Sequence, residues 1–198
     1  MSAAYFAPLL LFAIAATFSP GGATTLATAS GARFGLRRSL PLLVGMVAGL
    51  ATLGAAAGLG LAGLILAAPI AEQVLRLAGS AYLVWLAFRI AYGGPPSESN
   101  ASAVPIGILG GVALVQLNPK AWATALGAAA LFAEATSSPA ILAVTLASVL
   151  GVFGATSLVL WCVAGGILAR RLTTRRQWAI VNATLAFLLM LAVIQMWN

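Results

Sequence analysis

The sequence predicts an all-α polytopic membrane protein of about six transmembrane helices, in two inverted three-helix repeats, the first helix of each broken at a proline. Three observations predict it. Of 198 residues 62% are hydrophobic and only 7% charged, against roughly 25% charged in soluble domains, so the chain lacks the polar side chains that a wetted surface needs. The charged residues fall mostly in short clusters between uncharged runs, each long enough for the roughly 20 residues of a span. Shifting the chain by half its length lays Pro20 on Pro119 and Ser19 on Asn118, and it lays the second and third apolar runs on the fifth and sixth. Three spans per half is an odd number, so the halves enter the membrane from opposite sides.

Span 1 is expected from about Ala3 to Ala29, with its break at Ser19-Pro20-Gly21-Gly22. No basic residue precedes it and its apolar character continues to Ala32, which argues for a retained span rather than a signal peptide. Span 2 runs from about Leu40 to Leu66. Span 3 covers about Ile70 to Ala91, with Glu72, Arg76 and Arg89 near enough to its ends to snorkel toward headgroups. The segment Gly93-Gly94-Pro95-Pro96-Ser97-Glu98-Ser99-Asn100 is rich in turn formers and opens the linker, 93–103. Span 4 then runs from about Val104 to Phe132, broken at Asn118-Pro119. A tight turn from Glu134 to Ser138 leads into span 5, Pro139 to Leu168, and span 6 is Trp178 to Trp197. The chain thus reads as one transmembrane domain, 1–198, with repeat 1 at about 1–92 and repeat 2 at about 104–198. Gly45, Gly49, Gly54, Gly58 and Gly60 in span 2, with Gly151 and Gly154 in span 5, give small-residue faces for close helix packing.

The net charge of +7 carries topology rather than a nucleic-acid face. Arg33, Arg37 and Arg38 sit in loop 1, and Arg170, Arg171, Arg175 and Arg176 in loop 5, with no interleaved stacking aromatics. Loops 1, 3 and 5 are therefore expected in the cytoplasm and both termini outside. Trp178 and Trp197 suit interfacial anchors.

Several chemistries are excluded. Cys162 is the only cysteine and histidine is absent, so no internal disulfide, His/Cys metal site or His-based general base can form. Glu72, Glu98 and Glu134 map to span edges or loops, unlike a buried proton relay. No cofactor is expected, and no Ser/His pair, paired Asp or metal-ligand set points to an enzyme.

The two breaks carry the functional reading. Ser and Asn are favoured N-caps and Pro is favoured at the first helical position, so Ser19-Pro20 and Asn118-Pro119 read as helix restarts inside the membrane. A restarted helix offers N–H groups and the positive end of its dipole, which is an anion site. Gly21 and Gly22 leave room there for close approach. Lys120 is the only charged residue inside a span away from the loop clusters, at a cost of at least about 2.5 kcal/mol at the bilayer centre. It also sits at the wrong end of its helix dipole. Both costs fall if an anion binds. Gln116, Thr24 and Thr25 could be polar contacts in the path or could bond backbone carbonyls. The candidate substrate-binding residues are Ser19, Pro20, Gly21, Gly22, Gln116, Asn118, Pro119 and Lys120.

Ser19-Pro20-Gly21, Ser30-Gly31-Ala32-Arg33-Phe34-Gly35, the glycine-rich span 2, Gly79-Ser80-Ala81-Tyr82-Leu83 and Leu117-Asn118-Pro119-Lys120-Ala121 together resemble the lysine exporter (LysE/RhtB) family of bacterial amino-acid exporters. The resemblance covers nearly the whole chain, in order. It implies efflux of amino acids or related metabolites across the bacterial inner membrane in exchange for protons. One departure stands out: the first motif resembles the family's Pro-Gly-Pro, but Gly22 replaces the second proline. The wider superfamily includes thiol-disulfide and metal-handling relatives, and a lone Cys162 with no histidine speaks against both. For proton coupling, Lys120 is the only titratable candidate in the path. The expected partners are a small substrate bearing a carboxylate, such as an amino acid, and membrane lipid, with no nucleic acid and with homo-oligomerisation left open. The alternative reading is a non-transporting membrane subunit or assembly factor.

Overall fold

The computed structural model describes residues 3–60, 69–92, 105–136 and 138–195. Among them are seven α-helices and no strand: α1 (Ala3–Phe18), α2 (Gly22–Gly58), α3 (Pro69–Ala91), α4 (Ile108–Gln116), α5 (Pro119–Phe132), α6 (Pro139–Arg171) and α7 (Arg175–Gln195), with a 3-10 turn at Ala133–Ala135. The linker 93–103, the end of span 2 beyond residue 60 and Trp197 lie outside the described residues.

Local sequence accounts for the helix starts. Proline opens α3, α5 and α6, where its missing N–H costs nothing. Ser138 caps α6, its Oγ accepting from the N–H of Ile141 at 3.4 Å. Thr174 and Gln177 form a capping box at the start of α7. Thr174 Oγ1 accepts from the Gln177 N–H at 3.2 Å, and Gln177 Oε1 accepts from the Thr174 N–H at 3.0 Å. This box starts the last helix at Arg175, three residues before the expected Trp178. Trp178 is buried and lines a recess with Gly35, Arg170 and Leu172, so it is a packing residue rather than an exposed interfacial anchor.

The first loop differs from expectation. Rather than ending at Ala29, helix continues to the arginine cluster and on through it as α2, with one non-helical residue, Gly35, at φ 72° and ψ 171°. That backbone conformation is essentially restricted to glycine. Nine residues of straight helix would separate Ser30 from Ser39 by roughly 13.5 Å, yet their hydroxyls are 2.7 Å apart. The chain therefore bends sharply at Gly35, and α2 consists of two limbs, 22–34 and 36–58.

The long helices α2 and α6 form the centre of the bundle, with α4 against α2 and α3 against α7. Glycine permits this contact. A Cβ on Gly31 would overlap the Cys162 carbonyl, and one on Gly165 would overlap the carbonyl of Thr28. Leu9, Met46, Leu146, Leu150 and Leu189 are fully buried. The outside is apolar as well: Leu11, Ile70, Leu109, Val144 and Val152 all project outward. A surface of this kind suits lipid. By length and composition α2 and α6 could each cross a membrane.

Candidate functional site

Both breaks occur where the sequence places them, but their caps differ. Pro20 cannot donate a ladder hydrogen bond, and it drives the preceding residue out of helical geometry, so α1 stops at Phe18. The restart, however, falls one residue later than the Ser19-Pro20 reading requires. The N-cap of α2 is Gly21 and its first helical residue is Gly22. Thr24 holds that N-cap from inside the helix: its Oγ1 accepts from the Gly21 N–H at 2.9 Å and donates to the Gly21 carbonyl at 3.0 Å. Ser19 instead donates back to the Ala16 carbonyl at 3.0 Å. Its hydroxyl oxygen accepts from Lys120 Nζ at 2.8 Å rather than from an N–H of α2.

The second break follows expectation. Asn118 is the N-cap of α5 and Pro119 its first residue, with Asn118 Oδ1 accepting from the Lys120 N–H at 3.0 Å. The Asn118 carbonyl also accepts from the Ala121 N–H at 2.9 Å. Asn118 thereby occupies the first donors of α5 itself. At α2 the first N–H groups belong to Gly22, Ala23 and Thr24, a position where intrahelical partners are lacking. All three residues line the central cavity.

That cavity, about 70 Å³ in volume, lies between the two breaks. Ser19, Gly21 and Gly22 come to it from the first break, Asn118 and Lys120 from the second. Small residues shape its wall, among them Ala16, Ala23, Ala121 and Gly154. Of the expected set, Pro20, Pro119 and Gln116 do not line it. Gln116 Nε2 instead donates to the Gly49 carbonyl at 3.3 Å and to Thr52 Oγ1 at 3.1 Å, tying α4 to α2. Its own carbonyl accepts from the Trp122 indole N–H at 2.7 Å. Thr124 is a lining residue that the sequence reading missed, although it lies four residues beyond Lys120 and so on the same helix face.

Lys120 closes the site. Its Nζ donates to the Ser19 carbonyl at 2.9 Å, to Ser19 Oγ at 2.8 Å and to the Pro20 carbonyl at 3.2 Å. These carbonyls follow the C-terminal end of α1, where a cation is favoured by the dipole. Lys120 is thus misplaced with respect to its own helix and well placed with respect to α1. Behind Ser19, the buried Ser157 on α6 donates to the Thr17 carbonyl at 2.8 Å, holding the end of α1 in place. The ammonium, the α2 N-terminus and the hydroxyl of Thr124 make a small chamber that offers cationic and hydrogen-bonding groups to an anion. Among the described residues, no group of His, Cys, Asp and Glu could hold a metal ion.

The chain is 29% identical over 194 residues to a cysteine/O-acetylserine efflux protein of Shigella flexneri serotype 5b (strain 8401), covering 95% of this chain and 97% of that protein. It is also 29% identical over 185 residues to the protein of the same name from Escherichia coli (strain K12), covering 93% of each. No solved structure matches it. Residues 14–196 match the LysE type translocators, and the chain therefore belongs to that family of membrane transport proteins.

Proposed function

We propose that this protein is a secondary exporter of small neutral amino acids or related zwitterionic metabolites, moving them out of the cytoplasm across the bacterial inner membrane. The single observation that carries the reading is the Lys120 ammonium, held between the two helix breaks by the Ser19 and Pro20 carbonyls. A substrate carboxylate is a stronger partner for an ammonium than a backbone carbonyl is. Its arrival would draw Lys120 off Ser19 and place the negative charge at the N-terminus of α2. A carboxylate that takes the ammonium must displace the Ser19 and Pro20 carbonyls from it, so the latch is what must open.

The family membership and the efflux relatives support export, and the small wall residues support a small side chain. Relatives named for cysteine and O-acetylserine fit that size class. In this reading the chain makes six spans as two inverted repeats with both termini outside, and rocking of one repeat against the other exposes the chamber to each side in turn. Proton antiport is the proposed energy source, with Lys120 as the titrating group. The site residues proposed to meet substrate are Lys120, Gly21, Gly22 and Ser19, with Thr24 and Thr124 added. Asn118 and Pro119 build the second break, and Gln116 braces it. Overexpression should raise resistance to toxic analogues of small amino acids, and deletion should cause intracellular accumulation when cells are fed dipeptides. Unchanged solute levels in the deletion strain would favour a non-transporting subunit instead.

A further inference from the structure

A second pair of basic side chains converges away from the chamber. Arg33, near the end of the first limb of α2, and Arg89, in the last turn of α3, line one cavity of about 80 Å³ together with Ser30, Phe34, Leu86 and Ile106. Each guanidinium lies over an aromatic ring: Arg33 is 5.5 Å from the centre of Phe34, and Arg89 is 5.0 Å from the centre of Trp85. Stacking positions the charges without neutralising them. The Nε of Arg33 is buried and has no hydrogen-bond partner. Ser30 is engaged with Ser39 at 2.7 Å, and the Leu26, Leu42 and Ile90 walls offer no acceptor. Two like charges lining one recess with largely apolar walls, one of them with an unused buried donor, favour an oxyanion there.

The surroundings indicate which oxyanion. Trp85 and Phe88 on α3 and Tyr92 just beyond its end are exposed, an apolar and aromatic flank of the kind found where a span meets the headgroup region. Basic pockets between membrane helices at that level bind anionic headgroups. We propose that the Arg33–Arg89 recess binds the phosphate of an anionic phospholipid, whose acyl chains lie along the exposed face of α3. The bound lipid would join the bend of α2 at Gly35 to α3.

Native mass spectrometry of the full-length protein in neutral detergent, with added phosphatidylglycerol or phosphatidylcholine, tests this. The wild type should retain phosphatidylglycerol in preference to phosphatidylcholine. Arg33→Gln and Arg89→Gln should each weaken that retention about fivefold, while an R170Q/R171Q double variant should leave it unchanged. Arg89 is exposed, so its variant is expected to keep the fold, and a melting curve verifies this. Undiminished retention in both single variants, or an equal loss in R170Q/R171Q, overturns the proposal. Arg33-dependent stabilisation by inorganic phosphate or glycine without selective lipid retention would mean that the recess takes a soluble anion, and the lipid assignment would be wrong.

Discussion

The Lys120 ammonium donates to the Ser19 carbonyl at 2.9 Å across 101 residues of sequence, so one side chain latches the break between α1 and α2 to the break between α4 and α5. Magnitudes show why this contact is stable without substrate. A lysine at mid-membrane costs at least about 2.5 kcal/mol, and a hydrogen bond to a charged group returns about 1.5–3 kcal/mol. With three acceptors around Nζ the cost is met locally, and a carboxylate must compete with Ser19 and Pro20 for the same protons.

Lys120→Ala removes both the latch and the cationic partner. Export should fall at least tenfold. Stability should change by no more than about 2 kcal/mol, because lost hydrogen bonds and the lost cost of a buried charge oppose each other. Efflux from preloaded cells, paired with a melting curve of the purified protein, checks both. A variant that inserts normally and exports at the wild-type rate removes Lys120 from the mechanism.

Gly21 matters to the site by what it lacks. At φ −178° its backbone is extended and any residue could adopt it. A Cβ there, however, would lie 3.1 Å from Lys120 Nζ and 3.2 Å from its Cδ. Gly21→Ala should therefore act by shifting the lysine, raising the substrate concentration needed for half-maximal export several-fold while leaving the melting temperature within a few degrees. Gly107→Ala, where a Cβ meets nothing within 4 Å, serves as the control. Equal transport kinetics in the two variants would argue that Lys120 need not hold its place.

Asn118 separates cap from charge. Asn118→Ala removes the acceptor of the Lys120 N–H and should destabilise by about 0.5–2 kcal/mol, the usual cost of a lost N-cap. Asn118→Asp keeps the cap and adds a carboxylate beside the chamber. It should fold as well as the wild type yet export poorly, since a fixed anion competes with the substrate for Lys120. Wild-type export by Asn118→Asp would show that the cavity does not select for negative charge.

Much of this architecture was legible because the signals are local. Pro8 and Pro41 are accommodated inside α1 and α2, but prolines at helix ends are local signals, so both breaks, the starts of α3, α5 and α6 and the cap at Asn118 follow from a few residues each. The cap at Ser19 did not follow, because the helix restarts one residue later, with Gly21 as its N-cap and Thr24 bonded to it. Ser19 is taken by the Ala16 carbonyl behind it and by Lys120 from the other half of the chain, a contact that no local pattern encodes. Gln116 lies off the cavity for the same reason: its partners, Gly49 and Thr52, are on another helix. The bend at Gly35 was hidden by helix-forming neighbours on both sides, although a glycine amid three arginines marks where it falls.

Gly31 and Gly165 give a prediction about assembly rather than transport. Each faces a backbone carbonyl of the other helix, Gly31 that of Cys162 and Gly165 that of Thr28, so either Cβ must push α2 and α6 apart. Overpacking of this kind costs about 1–3 kcal/mol, and Gly31→Ala and Gly165→Ala should each lower the melting temperature and the yield of monodisperse protein. Because both act by widening the same gap, the second substitution meets helices already separated. The double variant should be less destabilised than the sum of the singles, by about 0.5 kcal/mol or more, as expected for residues sharing one contact. Melting curves of the four proteins complete the cycle. Strict additivity would mean that the two glycines report on separate contacts, and an unperturbed Gly31→Ala would mean that the helices do not approach as closely there as the overlap requires.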